Sequence, residues 1–198
     1  MINISHQKNG KKAVLPDSTR PKRETNSSTI TAGRTYSGYE IIKIAIEEEK
    51  EGFNFYKKMM GKSLSSEVKE VFHHLLHEEE KHLVFLKNNL LPDFEKNKVD
   101  LQDEESVVAY IERLNKSGIF EEREDIENIS SEITTDLEAI RLAIDIEKDA
   151  VSFYGKFFES IAQSEGKDAL KKLITQEKGH LEMLRKLQTS IMNKNDYR

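Results

Sequence analysis

Glu79-Glu80-Lys81-His82 and Glu177-Lys178-Gly179-His180 are the stretches that decide the fold of this chain. Both read Glu-x-x-His. Each follows another glutamate in a helical pattern, 30 residues earlier: Glu49 for the first and Glu147 for the second. One offset of 98 residues relates Glu49 to Glu147, Glu79 to Glu177 and His82 to His180. On a helix, side chains three apart point the same way, about one turn apart.

The offset extends well beyond these six residues. Residues 37–90 slide onto residues 135–188 without a gap, and 17 of the 54 aligned pairs are identical. Average composition would give roughly one identity in sixteen by chance, so the chain carries a duplicated helical hairpin. Ile42/Ile140, Ala45/Ala143, Phe55/Phe153, Tyr56/Tyr154, Leu75/Leu173 and Leu86/Leu184 are among the matches. The helix starts repeat as well: Ser37-x-x-Glu40 and Thr135-x-x-Glu138 both read as capping boxes.

The apolar stripes define four helices. The first is expected from about Gly38 to Met60, with Ile42, Ala45, Ile46, Gly52, Phe53 and Tyr56 inward beside Glu49. After a turn at residues 61–66, the second runs from about Glu67 to Leu90 and is expected to end at Pro92. The third starts after Thr135, and residues 163–166 mark the next turn before the fourth. Residues 92–134 are too many for a tight turn. They suit a crossover along a four-helix bundle, with a short helix expected near Glu104 to Lys116. The expected organisation is a basic tail over 1–36 with no sustained period, then one all-α domain over 37–198. That domain comprises hairpin 37–91, crossover 92–134 and hairpin 135–191.

In an antiparallel hairpin, residues equidistant from the turn lie side by side. Glu49 and Glu79 are equidistant from residue 64, and Glu147 and Glu177 from residue 162, each roughly 22 Å from its turn at 1.5 Å per residue. One depth in the bundle then holds Glu49, Glu79, His82, Glu147, Glu177 and His180. The four glutamates interrupt apolar stripes, where unpaired carboxylates are costly and repel one another. Two divalent cations cancel the four charges. Four carboxylates and two imidazoles from four helices form the donor set of a two-iron site, with a manganese or mixed pair as the alternative. A single Glu-x-x-His would read as surface residues; two register-matched copies do not.

Other residues call for plainer readings. His73, His74 and His77 fall on the second helix, well around from the Glu79 stripe. His73 and His77 are an i,i+4 pair that could hold a surface metal, but the second repeat has Lys171 and Thr175 there, which favours a solvated face. Tyr56 and Tyr154 point inward beyond their glutamates, either as hydrogen-bond donors to a ligand carboxylate or as core.

Composition bounds the function. The 198 residues carry a net charge of −5 and no cysteine, which excludes disulfides, thiolate metal sites and thiol catalysis. Residues 1–38 hold seven Lys or Arg against Asp17 and Glu24, so the body is acidic and the tail basic. The tail lacks aromatic interleaving or a dense basic run, and no nucleic-acid partner is expected. No apolar run reaches membrane-spanning length, no secretory signal is visible, and the cytoplasm is the expected location.

The segments AIEEEKEGFNFY at residues 45–56 and AIDIEKDAVSFY at residues 143–154, each followed by its Glu-x-x-His, resemble the two halves of a rubrerythrin-type ferritin-like domain. The resemblance covers roughly residues 37–190. It implies that Glu49 and Glu147 are terminal ligands, that Glu79 and Glu177 bridge two iron ions, and that His82 and His180 each cap one. It further implies a peroxidase or ferroxidase of peroxide defence and iron homeostasis, acting on hydrogen peroxide, dioxygen or ferrous iron. A homo-oligomer is expected, with a dimer favoured. Rubrerythrins proper also carry a cysteine-ligated rubredoxin domain; without cysteine, this chain is expected to need an external electron donor. They carry an extra glutamate one turn after the third-helix ligand, where this chain has Ala150, matched by Gly52 in the first repeat. The six-ligand set is thus closer to the symmetrical centre of bacterioferritin-like proteins. Iron storage in a multimeric shell and a metal-stabilised scaffold are the rival readings.

Overall fold

The computed structural model describes residues 37–62, 64–97, 130–161 and 165–196. The tail over 1–36 and the short helix expected near 104–116 lie outside the described residues. Five α-helices are described: α1 (Gly38–Met60), α2 (Ser66–Phe85), α3 (Leu91–Asn97), α4 (Asp136–Ser160) and α5 (Glu165–Asp196), with a π-helical turn at Leu86–Leu90 joining α2 to α3. The long helices α1, α2, α4 and α5 form the bundle. α1 packs along α2 and α4 along α5, as the duplication requires.

Both predicted capping boxes are present. The Ser37 hydroxyl accepts from the Glu40 amide while the Glu40 carboxylate accepts from the Ser37 amide. Thr135 and Glu138 repeat the arrangement. These boxes satisfy amides that would otherwise be orphaned at the helix starts and so fix where α1 and α4 begin. The intervening turn is tied to the second repeat: the Ser65 amide donates to Asp136, and Lys62 reaches the carbonyl of Ser131.

The second helix does not end at Pro92. It widens into the π-turn, where the Leu91 amide reaches back to the Leu86 carbonyl, and then resumes as α3. Proline inside an α-helix lacks the amide for its own hydrogen bond and its ring strikes the carbonyl four residues back. The π-turn breaks the α register just before the ring, and Pro92 falls in the first turn of α3, where proline is tolerated. Continuing the helix carries Phe94 into the core, its ring centroid 5.6 Å from that of Phe157.

The apolar core is divided in two. One cluster joins the start of α1 (Ile41 to Ile46), the end of α4 (Phe153, Phe157), the start of α5 (Leu170, Leu173) and the π-turn with Phe94. The other joins the end of α1 (Phe55, Met59), the start of α2 (Val68 to Leu75), the start of α4 (Ala139 to Ile144) and the far part of α5 (Leu181 to Ile191). On each of the four long helices the polar residue at the predicted depth falls between its contributions to the two clusters. Apolar burial therefore clamps the bundle on both sides of one polar layer.

Gly166 provides a test of the packing around α3. A Cβ there would lie 2.5 Å from Cε2 of the buried Phe94 ring. Gly166→Ala is expected to lower stability by about 1–3 kcal/mol through overpacking, read from urea midpoints, and Phe94→Leu in the same chain should recover part of the loss. Unchanged stability in Gly166→Ala would place Phe94 elsewhere.

Candidate metal centre

The polar layer is built from one glutamate each of α1 and α4 and one Glu-x-x-His pair each of α2 and α5. Glu49, Glu79, His82, Glu147, Glu177 and His180 are all at most 4% exposed. The structure brings all six sequence-predicted residues together. Their donor atoms fall into two groups, each within 4.8 Å: Glu79, Glu147, Glu177 and His180, and Glu49, Glu79 and His82. Glu79 belongs to both groups. Glu177 also reaches both imidazoles, with Oε1 2.8 Å from His82 Nδ1 and Oε2 3.3 Å from His180 Nδ1. The rings of His82 and His180 stack with centroids 5.4 Å apart.

Glu49 and Glu147 are oriented by tyrosines of the opposite repeat. Tyr56 on α1 donates to Oε1 of Glu147 on α4 at 2.5 Å, and Tyr154 on α4 donates to Oε1 of Glu49 on α1. Each hydroxyl thus holds one oxygen of its carboxylate. The remaining oxygen faces an imidazole: Glu49 Oε2 lies 3.2 Å from His82 Nδ1, and Glu147 Oε2 lies 3.5 Å from His180 Nδ1. Of the two roles the sequence left open for Tyr56 and Tyr154, the structure gives the hydrogen bond to a site carboxylate. The exchange between repeats is not readable from either repeat alone.

Electrostatics in the metal-free layer follow from burial and crowding. Burial, with the charges of Glu49 and Glu177, pushes Glu79 well above the usual carboxylate range. Burial raises Glu147 to about 7, against the opposing pull of His180. For Glu177, burial is outweighed by the pull of the His180 and His82 imidazoles that face its two oxygens, which hold it down at about 2. Burial disfavours the charged imidazoles, yet the facing carboxylates raise His180 to about 9 and raise His82 as well. Burial drives Tyr56 and Tyr154 well above their ordinary value, so both hydroxyls keep the protons they donate.

Several atoms in the layer remain unsatisfied. Glu147 Oε2, both Glu177 oxygens and His180 Nδ1 are buried without a hydrogen-bond partner of proper geometry, although ionic neighbours are close. Buried polar atoms are rarely left so. Oxygen and imidazole donors converging at bonding range fit a pair of divalent cations, since iron and manganese accept such ligands.

A narrow recess reaches the layer between α1 and α4. Glu48, Glu51, Gly52, Ile146 and Ala150 line it, and Glu49, Glu79 and Glu147 form its inner wall. A Cβ on Gly52 would sit 3.4 Å from Cδ of Glu79, so the absence of a side chain keeps this approach open. Glu48 and Glu51 were not singled out by sequence. They belong to an acidic run in which the inward stripe, the distance from the turn and the 98-residue match distinguish Glu49.

A family model described as Rubrerythrin matches residues 40–188. Among solved structures the chain is similar to a Thermotoga maritima protein described as a putative ferritin-like diiron-carboxylate protein, at 20% identity and a TM-score of 0.54, over 79% of this chain and 97% of that one. At that identity the likeness shows a shared fold. No curated protein matches the chain.

The proton inventory has a measurable consequence for the metal-free protein. Glu147, raised from 4.5 to about 7, and His180, raised from 6.5 to about 9, both bind protons more tightly folded than unfolded. The stability each adds is present below its unfolded value and lost as pH rises through its folded one. Glu177 acts in the opposite sense, its contribution disappearing as pH falls from 4.5 towards about 2. The urea midpoint of metal-free protein is therefore expected to fall as pH rises from about 6 to about 9. Metal binding near neutral pH should release protons, seen as buffer-dependent heat in calorimetry. A midpoint that rises over this range would contradict the assignment.

Proposed function

The chain belongs to the rubrerythrin family, and from that premise we propose that it is a non-haem di-iron or di-manganese oxidoreductase of peroxide defence and iron homeostasis, reducing hydrogen peroxide or oxidising ferrous iron. The observation that supports this most is the buried layer itself, where four carboxylates and two imidazoles converge with several donor atoms unsatisfied. A purely structural layer would satisfy those atoms internally.

In this reading Glu79 and Glu177 would be shared between two metals, Glu49 and Glu147 would each serve one as a terminal ligand, and His82 and His180 would each hold one ion. A bound ferrous pair supplies two electrons, one from each iron, which is the number that reduction of hydrogen peroxide to two waters consumes. The protein's part is orientation and access. The Tyr56 and Tyr154 hydroxyls hold one oxygen of Glu147 and Glu49, which leaves the other directed at the site. The apolar clusters on either side exclude bulk water, and the recess at Gly52 and Ala150 is the route by which peroxide or dioxygen would approach. The chain contains no cysteine, so its electrons come from an external donor. A homodimer in the cytoplasm completes the proposal.

Anaerobic protein loaded with ferrous iron is expected to consume about one hydrogen peroxide per two irons, followed by stopped-flow absorbance. Repeated turnover should require an added reductant. No reaction with peroxide or dioxygen would leave a metal-stabilised scaffold, and mineral accumulation in a closed shell would favour storage.

Substitutions separate the roles. Glu79→Ala or Glu177→Ala should impair both ions, whereas His82→Ala should weaken mainly one, measured by iron stoichiometry after dialysis. Identical partial losses in all three would refute the shared-ligand role. Ala150→Glu places a carboxylate one turn from Glu147 on the same face, and is expected to speed steady-state peroxide consumption. A slower variant that still binds its full iron complement would argue against a role for this position in cycling.

A further inference from the structure

Three histidines of the bundle, His73, His74 and His77, take no part in the buried layer. All three are exposed on α2. At 100° per residue, His73 and His77 are turned roughly 120–180° from Glu79 and His82, so they face outward from the same helix. Their imidazoles are not splayed: the ring centroids lie 4.4 Å apart. Glu70, three residues before His73, and Glu80, three residues after His77, share this outward face and are exposed. The four form a stripe of donors along about three turns of α2.

The duplicated hairpin provides an internal control. α5 presents Lys171 and Thr175 at the positions equivalent to His73 and His77 and builds the same long helix. Taken alone, that difference favours a solvated face; what the structure adds is the close approach of the two rings. Two imidazoles one helical turn apart converge on a single cation, the chelating arrangement that metal-binding helices use. Imidazole nitrogen selects zinc, nickel or copper(II) over magnesium and calcium, which prefer all-oxygen ligands. Glu70 and Glu80 add negative charge beside the pair, which attracts a cation.

We propose that His73 and His77 form a surface site for a divalent transition-metal ion, separate from the buried layer. The site holds one ion between the two rings, with water completing its coordination. It is independent of the redox reading above, because none of its residues belongs to the buried layer.

The full-length, metal-free protein equilibrated with zinc and then dialysed provides the test. Wild type is expected to retain one zinc ion per chain more than His73→Ala/His77→Ala. His74→Ala should match wild type, since the paired rings are those of His73 and His77. Glu177→Ala/His180→Ala should lose interior zinc yet keep the ion that depends on His73 and His77. Circular dichroism of each variant checks that the helices are intact. Equal zinc in wild type and His73→Ala/His77→Ala, or an equal loss in His74→Ala, would overturn the site.

Discussion

Four carboxylates held away from water at one depth of a helical bundle are the constraint around which the rest of this structure is arranged. Without counter-charge such a layer would repel itself and loosen the helices. The metal-free protein meets the demand with protons, through raised pKa values at Glu79, Glu147, His82 and His180. Divalent cations would meet it more completely, because they would also satisfy the oxygens and nitrogens that lack a hydrogen bond. Folding energy comes from elsewhere: the two apolar clusters on either side hold the helices at the spacing the layer needs. Stability and function are thereby segregated along the bundle axis.

The duplication makes this arrangement economical in sequence. One hairpin contributes Glu49, Glu79 and His82, the other Glu147, Glu177 and His180, and neither is complete alone. Tyr56 and Tyr154 then link the copies, donating to Glu147 and Glu49 of the opposite repeat. A shift of one hairpin along the other would break both bonds and offset the two halves of the layer. The tyrosines thus tie helix register to the geometry of the site. The copies differ at the surface: His73 and His77 have no counterparts in α5, which separates what the fold needs from what this helix carries in addition.

Much of this is legible in the sequence alone. The 98-residue offset, the helical stripes and the equidistance of paired glutamates from their turns were enough to place all six buried residues at one depth. Capping boxes at Ser37 and Thr135 marked two helix starts correctly, because such caps are local. Pro92 misled, because a proline stops a helix only if the backbone keeps its α register, and a π-turn avoids the clash. The reward that favours the detour, burial of Phe94 against Phe157 and Gly166, comes from distant residues. The tyrosine exchange was hidden for a related reason. Inward direction can be read from one helix, but the partner of an inward hydroxyl depends on how two helices face each other. The recess beside Gly52 and Ala150 likewise exists only between helices.

The central claim is that the six buried residues hold a pair of metal ions. Crystals of the protein grown anaerobically with ferrous iron, with anomalous diffraction recorded at the iron edge, test it most directly. Two anomalous peaks within the buried layer are expected, each next to one imidazole and both within bonding distance of the Glu79 and Glu177 carboxylates. An iron-soaked crystal with no anomalous density between these residues, and with the layer closed by hydrogen bonds among its own side chains, would contradict it.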